Sequence, residues 1–343
     1  DLLLNTDFPD IRVKSFIQSK EHGAIMTIPR EGGYLCRFYV EMDTIESETR
    51  SKEIRVTEKD LIKKAQKIFH PYELDVKEVA WWSIYSVGQR LADRFDDRSE
   101  GSADDIMPRA FVAGDACHTH SPKGGWGLNT SLPDTFNLGW KLAAVLQKRS
   151  DFKLLATYGA ERRKVAQQLI NADKELSKLV ATRPSAKDTS EKARVDTAKI
   201  EAFMKRQSGF VSGTSIEYLP SYICTGHDNQ YLAKGFIIGQ RFFSAEVIRL
   251  CDGRSQHLGH LVKADGRWRI FLFSGEEDPR DHNTKSYRLI DFLAHSSASP
   301  VKRYTPIGAD IDAIIDTYAI FQDHNLSMPE LHNYLWPAKG KYG

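Results

Sequence analysis

The first 42 residues alternate between apolar and polar positions in the manner of β-strands. This alternation predicts strands over residues 12–19, 23–29 and 34–42, with Gly32-Gly33 as the turn between the last two. The chain therefore opens with a set of hairpins.

Apolar residues at helical spacing predict four helices further along. The first follows a capping-box pattern at Thr57 to Asp60, and Pro71 ends it. The other three are predicted over residues 127–147, 152–182 and 193–207. Residues 183–190 separate the last two as a linker.

Further strands are predicted between and after these helices. Residues 79–87 are rich in Trp and Tyr, and the apolar run 110–113 is typical of a buried parallel strand that ends at Gly114-Asp115. We expect Trp81, Trp82 and Trp140 to lie in the core. The last hundred residues predict strands over 236–238, 258–263 and 267–273, with a hairpin at Asp265-Gly266.

The predicted fold class is therefore α/β, with some α+β character. A chain of 343 residues that is 41% hydrophobic and 27% charged is long enough for more than one core. The formal net charge of +2 argues against nucleic acid as a partner.

Four cysteines lie far apart in the sequence, and none belongs to a CxxC pair: Cys36, Cys117, Cys224 and Cys251. This pattern argues against a zinc ribbon or a dithiol centre and favours a reducing, cytoplasmic setting. No apolar run reaches the length of about 20 residues that a membrane span needs. The N-terminus lacks the features of a signal peptide and is expected to lie in mid-structure.

The most informative segment for chemistry is 114–142. It combines a Gly-Asp turn, a loop with three glycines and the predicted start of a helix near Leu128. Glycines let a ligand approach the backbone closely, and a helix N-terminus offers unpaired N–H groups and a positive dipole end. Such a site favours an anionic or electron-rich group, such as a phosphate or the edge of a reduced flavin.

His118 and His120 form an HxH pair, but no third ligand stands at a suitable spacing, so no metal site is predicted. Cys117 has no base at an obvious spacing, which argues against a nucleophilic role.

Three motifs in this segment resemble a known family. Gly-Asp-Ala-x-His at 114–118, Pro-x-x-Gly-x-Gly-x-Asn at 122–129 and Asp-x-x-Asn-Leu-x-Trp-Lys-Leu at 134–142 resemble the second flavin motif of monooxygenases with the p-hydroxybenzoate hydroxylase fold. Cys-His-Thr-His-Ser-Pro-Lys at 117–123 is similar to the phenol 2-monooxygenase family. Trp126 and Pro133 depart from the usual pattern.

The resemblance implies a set of site residues. Asp115 would hydrogen-bond the ribityl chain of FAD. The isoalloxazine ring would be bordered by Pro122 and by the backbone of Gly125, Gly127, Leu128 and Asn129. Arg30 and Tyr39 match the active-site arginine and tyrosine of the family, with the tyrosine orienting a phenolic hydroxyl.

The resemblance also implies an organisation. Residues 1–182 would be part of the FAD and substrate domain, 183–234 a linker with a helix, and 235–343 a thioredoxin-like domain used for homodimer contacts. The Gly-x-Gly-x-x-Gly unit that holds the ADP half of FAD in the family does not occur in this sequence. The chain is therefore expected to be a fragment of the enzyme.

The implied reaction is ortho-hydroxylation of a phenolic small molecule with FAD, NADPH and O2. A 3-hydroxybenzoate- or salicylate-type hydroxylase is the alternative within this class. Outside it, the chain could be a non-catalytic fragment that serves as an interaction or dimerisation module. A thioredoxin-like reductase is disfavoured because CxxC is missing.

Overall fold

The computed structural model describes residues 1–19, 21–42, 56–84, 88–99, 106–181, 190–322 and 325–336. The chain divides into two compact units. The first comprises 1–141 and 151–224, and the second comprises 142–150 and 225–343.

A five-stranded antiparallel sheet forms the beginning of the first unit. Its strands lie in the order β2-β3-β4-β1-β5. Their bounds are β1 Leu2–Thr6, β2 Ser15–Ser19, β3 Gly23–Pro29, β4 Leu35–Val40 and β5 Leu74–Val79. The three strands predicted over residues 12–42 are confirmed with shorter ends, and both turn glycines adopt the positive φ that favours glycine.

Helix α1 (Glu58–Phe69) packs on one face of this sheet. The predicted capping box is present, with reciprocal hydrogen bonds between Thr57 and Asp60. Ile68 and Phe69 are buried against Ile25 of the sheet. Because side chains alternate along a strand, Phe38 and Val40 of β4 face α1, and Tyr39 between them faces the opposite side of the sheet.

Two strand predictions in this unit were wrong. β5 ends at Val79 because its partner β1 begins at Leu2. Trp81 and Trp82, predicted to be core, follow β5 as irregular chain and are 56% and 42% exposed. Residues 85–87 lie outside the described part of the chain. The apolar run 110–113 forms only an isolated bridge from Phe111 to Asp96, and the residues that follow it form a 3₁₀ turn. A run of four residues was too short to establish a parallel strand.

The three longer helices are confirmed: α2 is Gly127–Leu146, α3 is Lys153–Ala181 and α4 is Ser190–Val211. Leu169 and Leu176 of α3 form a core with Phe203 of α4 and with Trp126, which precedes α2. The short strands β6 (Arg90–Leu91) and β7 (His118–Thr119) pair antiparallel beside this core.

Helix α2 has an inverted distribution of polarity. Its buried residues are polar or charged: Thr130, Asp134, Asn137 and Lys141. Its exposed face carries large apolar side chains, with Leu128 69%, Leu132 57% and Phe136 64% exposed. Trp140, predicted to be core, is 37% exposed on the same face.

The second unit contains two small sheets. β8 (Glu246–Arg249) and β9 (Arg254–His257) form an antiparallel hairpin, whereas β10 (Trp268–Phe273) and β11 (Ile315–Ile320) are parallel. Parallel strands need a crossover connection, and this one contains α5 (Lys285–His295) and α6 (Pro300–Tyr304).

Three predictions for this unit were wrong. Residues 236–238 are not a strand, and Leu258–Leu261 is a 3₁₀ helix. Asp265-Gly266 is a turn ahead of β10 and not a hairpin, since β10 pairs with a distant parallel strand. In the described part of the chain, no helix is long and apolar enough to cross a membrane.

Candidate functional site

The turn Gly114–Ala116 presents Asp115 to solvent. Gly114 has a φ of 61°, and a Cβ at that position would lie 3.2 Å from the Ser131 side chain, so glycine fits both the conformation and the space. The Asp115 side chain is exposed and forms no hydrogen bond with the described residues. Its carboxylate is therefore available to a ligand.

The loop from Pro122 to the start of α2 is partly open to solvent: Gly125 is exposed, and Pro122, Lys123, Gly124 and Gly127 are half-buried. Gly125 donates its N–H to the Pro122 carbonyl at 3.0 Å and has a φ of 68°. Leu128 and Asn129 are exposed in the first turn of α2. The first N–H groups of a helix have no partner within it and form its positive end, so this loop offers donors to an electron-rich ligand.

Gly127 lies close to an imidazole. A Cβ at Gly127 would be 3.0 Å from His120 Nε2, and the other ring nitrogen, Nδ1, bonds the Ser121 carbonyl at 2.7 Å. His120 is therefore held against the backbone of the loop, and a larger residue at position 127 would displace it.

Tyr39 and Arg30 lie on the β3–β4 hairpin but at different ends of it. Met26 pairs with Tyr39, whereas the Arg30 N–H bonds the Leu35 carbonyl at 3.0 Å. Tyr39 lies four positions after Leu35 along β4, which corresponds to about 13 Å of backbone. The backbone positions of the two predicted active-site residues are therefore far apart along the hairpin.

Their local environments also differ. The Arg30 guanidinium bonds Glu31 at 2.6 Å through one terminal nitrogen, while its buried Nε has no partner. Tyr39 is half-buried on the sheet face opposite Phe38 and Val40, which pack toward α1.

An ion pair connects the loop with the Tyr39 end of β4. Lys123 Nζ lies 3.0 Å from Glu41 Oε1, and Glu41 follows Tyr39 by two residues. The structure therefore brings the glycine loop beside the end of the strand that carries the predicted substrate-orienting tyrosine.

A buried carboxylate organises the Gly114 turn from below. Asp134 of α2 accepts the Gly114 N–H at 3.2 Å, His118 Nε2–H at 2.7 Å and Arg162 Nε–H at 2.6 Å. Burial would raise the pKa of Asp134, but the His118 hydrogen bond and the Arg162 guanidinium outweigh it and hold that pKa below its ordinary value.

A second buried ion pair lies one to two turns further along the same helix. Lys141 Nζ and Asn137 Nδ2 each donate to Glu161 Oε2 at 2.6 Å. Burial lowers the pKa of Lys141, and the Glu161 carboxylate opposes that shift. The polar face of α2 is therefore satisfied by Glu161 and Arg162, two neighbouring charged residues of α3.

Cys117, His118 and Asp134 place their ligand atoms within 4.8 Å of one another, a separation compatible with a metal ion. Both Asp134 oxygens, however, already accept hydrogen bonds from Gly114, His118 and Arg162. Burial, with the Asp134 charge nearby, raises the pKa of Cys117 to about 12, so the thiol stays protonated. The geometry is that of a hydrogen-bonded network.

The sequence analysis assigned no role to the residues of this network. Asp134, Asn137 and Lys141 belong to the motif at 134–142, and no sequence pattern points to a role for Glu161 or Arg162. The usable signal was the polar spacing of 130, 134, 137 and 141, which places one polar side chain on each turn of the same helix face.

Two family profiles match this chain. The profile described as "FAD binding domain" matches residues 2–173, and the one described as "Phenol hydroxylase, C-terminal dimerisation domain" matches residues 216–343. This chain belongs to the phenol hydroxylase family of FAD-dependent monooxygenases.

Two curated relatives illustrate the similarity of this phenol hydroxylase family member. The 3-hydroxybenzoate 4-monooxygenase of Comamonas testosteroni is 46% identical over 100% of this chain and 54% of its own length. A phenol 2-monooxygenase of Aspergillus fumigatus is 36% identical over 80% of this chain and 44% of its own. The chain thus spans about half the length of these relatives.

Solved structures agree on the fold. The anhydrotetracycline hydroxylase of Streptomyces rimosus matches 93% of this chain and 55% of its own, with a TM-score of 0.55 and 20% identity. The predicted p-hydroxybenzoate-hydroxylase-like fold is therefore confirmed, and the C-terminal part matches a phenol hydroxylase dimerisation domain.

The residues of this family member fit a flavin. Gly125 and the first turn of α2 are exposed, Asp115 has no side-chain partner among the described residues, and Gly125 adopts a conformation that suits glycine.

Proposed function

We propose that this chain supplies part of the flavin site and the dimerisation domain of an aromatic hydroxylase. The reaction would insert one oxygen atom of O2 ortho to a phenolic hydroxyl, giving a catechol, with NADPH as the reductant. The observation that carries the proposal is the open glycine loop and α2 N-terminus, held next to the Tyr39 end of β4 by the Lys123–Glu41 ion pair.

FAD, when bound, would supply the reduction of O2. The residues that would hold it are Asp115, toward the ribityl chain, and Pro122, Gly125, Gly127, Leu128 and Asn129 along the ring system. The positive end of α2 favours added electron density on the ring. The loop would therefore bind the reduced form of the flavin better than a neutral surface would.

Tyr39 would bind and orient the phenolic hydroxyl. Its half-buried place on the open sheet face suits a side chain that holds an aromatic ring away from water. Arg30, which lies at the other end of the hairpin, would place its positive charge close to the flavin, as the family resemblance implies.

The regiochemistry is consistent with the relatives. In 3-hydroxybenzoate, carbon 4 is adjacent to the hydroxyl at carbon 3, so oxygenation there is ortho to a phenolic hydroxyl. The greater identity to 3-hydroxybenzoate 4-monooxygenase, 46% against 36% for phenol 2-monooxygenase, favours a hydroxybenzoate as the second candidate substrate.

The C-terminal part would form a homodimer. The match of residues 216–343 to a dimerisation domain supports this proposal. We also propose that this part is thioredoxin-like, since its parallel strands β10 and β11 are joined through helices.

The first experiment is flavin binding by the purified chain. The change in fluorescence and absorbance on titration with FAD should report a saturable complex, and Asp115→Asn should weaken it. If the titration shows no saturable change, and the chain is colourless after free FAD has been removed, the result would support the alternative of a non-catalytic interaction module.

The second experiment identifies the substrate. NADPH oxidation and O2 uptake by the complete protein, which includes the ADP-binding part, are followed with phenol, 3-hydroxybenzoate and salicylate, and products are separated by chromatography. A catechol-type product from one of them is expected. Flavin binding without turnover of any phenol would refute the hydroxylase proposal.

A further inference from the structure

Asp173 is a fully buried carboxylate on α3. It accepts the Ser121 N–H at 2.9 Å and the Gln89 side-chain N–H at 2.6 Å on one oxygen, and the Ser121 hydroxyl on the other. All three groups donate, as an acceptor-only carboxylate requires. All three donors are also neutral, and among the described residues no cation forms an ion pair with Asp173.

These donors lie at the beginning of the glycine loop, which runs from Ser121 to Trp126 and is called the flavin loop below. Ser121 directly precedes Pro122, and Gln89 directly precedes β6, which pairs with β7. Asp173 therefore joins three pieces of chain that are distant in sequence: α3, the segment before β6 and the exit from β7. The Ser121 hydroxyl also accepts the Lys123 N–H at 3.4 Å.

The far end of the loop has a separate anchor. Trp126 is 4% exposed and packs with Leu169 and Phe203 in the α3–α4 core. Ser121 and Trp126 thus hold the two ends of the loop against α3, while Gly125 between them is exposed. The conformation of that middle depends on where each end is fixed.

We infer that Asp173 is a positioning residue for the flavin loop. By fixing the N–H and the hydroxyl of Ser121, its carboxylate sets the direction in which the chain leaves β7 and enters Pro122. Hydrogen bonds to a charged acceptor are roughly twice as strong as neutral ones, which suits this role. The inference that this affects flavin binding rests on the proposed function.

The test compares Asp173→Asn with Glu175→Gln, an exposed position two residues further along the same helix. An amide keeps the shape of the carboxylate but has one acceptor oxygen and no charge. Ser121, Lys123 and Gly125 are the loop residues whose backbone N–H groups form hydrogen bonds. Their amide hydrogen exchange should accelerate roughly ten- to hundred-fold in Asp173→Asn, the range expected for losing a hydrogen bond to a charged group. Glu175→Gln should leave exchange unchanged.

FAD affinity gives a second readout. In Asp173→Asn the Kd should rise roughly ten-fold or more, while exchange in β3 and β4 and the Tm stay close to wild type. Unchanged exchange in the loop, or equal acceleration in β3 and β4, would overturn the positioning role. If the wild-type chain binds no flavin, the proposed function fails, and the exchange comparison still decides the role of Asp173.

Ser121→Ala covers the case in which Asp173→Asn does not fold. It removes the hydroxyl and keeps the N–H, so a smaller acceleration confined to the same amides is expected, and none at all would contradict the inference. Where both fold, the double variant should accelerate exchange about as much as the larger single effect, because the two groups act through each other. Independent, multiplying effects would also contradict it.

Discussion

The Lys141–Glu161 pair provides a sharp test of the inverted polarity of α2. We consider Lys141→Met, which keeps a long unbranched side chain but removes the ammonium. Lys141 and Glu161 are 0% and 3% exposed, so the variant leaves a buried carboxylate with only the Asn137 amide as donor. Removing one partner of a buried ion pair typically costs about 3–5 kcal/mol.

The expected loss is therefore about 3–5 kcal/mol of unfolding free energy in the first unit. Urea titrations monitored by tryptophan fluorescence would measure it, with hydrogen exchange of α2 and α3 to assign the change to this unit. Glu175→Gln serves as the control, because its partner Arg206 is 58% exposed and surface pairs contribute at most about 1 kcal/mol.

The double variant Lys141→Met with Glu161→Gln should recover most of the loss, since the carboxylate left unpaired by the single variant is then replaced by a neutral amide. A loss below about 1 kcal/mol for Lys141→Met would place this pair in the range of surface ion pairs and refute the reasoning. A double variant no more stable than the single one would show that the unpaired carboxylate was not the cause.

Three further predictions concern the same site. The pKa of Asp134 is held below its ordinary value, so its ionised form stabilises the fold above about pH 4, and this contribution is lost as the pH falls further. In urea titrations, the stability difference between wild type and Asp134→Asn should therefore shrink between pH 5 and pH 3. Gly125→Ala should cost about 1–2 kcal/mol and weaken FAD binding, whereas Gly33→Ala, with a similar φ and equally open space, should cost the same stability and leave FAD binding intact. Cys117, buried and with its pKa raised to about 12, should not react with a thiol reagent at pH 8 until urea is added.

Elements set by local signals could be predicted from the sequence. The capping box at Thr57 and Asp60 and the turn at Gly32-Gly33 are decided by neighbouring residues, and both are present. Strand predictions failed where pairing depends on a distant partner. The Trp81 segment is not a strand because β1 begins at Leu2, beside Val79. The hairpin predicted at Asp265-Gly266 is absent because β10 pairs with a strand more than 40 residues away.

The candidate site divides in the same way. The glycine loop and the Gly114 turn are predicted from motifs, and the structure exposes Asp115 of the turn and Gly125 of the loop. The roles of Asp115, Arg30 and Tyr39 remain predictions. The supporting network could not be derived from hydrophobic pattern, because α2 buries its polar positions and exposes Leu128 and Phe136. Burial of a charge depends on a partner from α3, which the local sequence does not specify.

The concentration of anchors on one helix has a consequence for engineering. Tyr158 bonds the Val112 carbonyl at 2.7 Å, Arg162 and Glu161 satisfy α2, and Asp173 holds Ser121. A graft of residues 112–141 from a relative would therefore find its counter-charges only where its polar positions match Glu161, Arg162 and Asp173 of α3. Chimeras that keep these matches should retain a folded cofactor loop, and chimeras that break them should retain it only when α3 is exchanged as well.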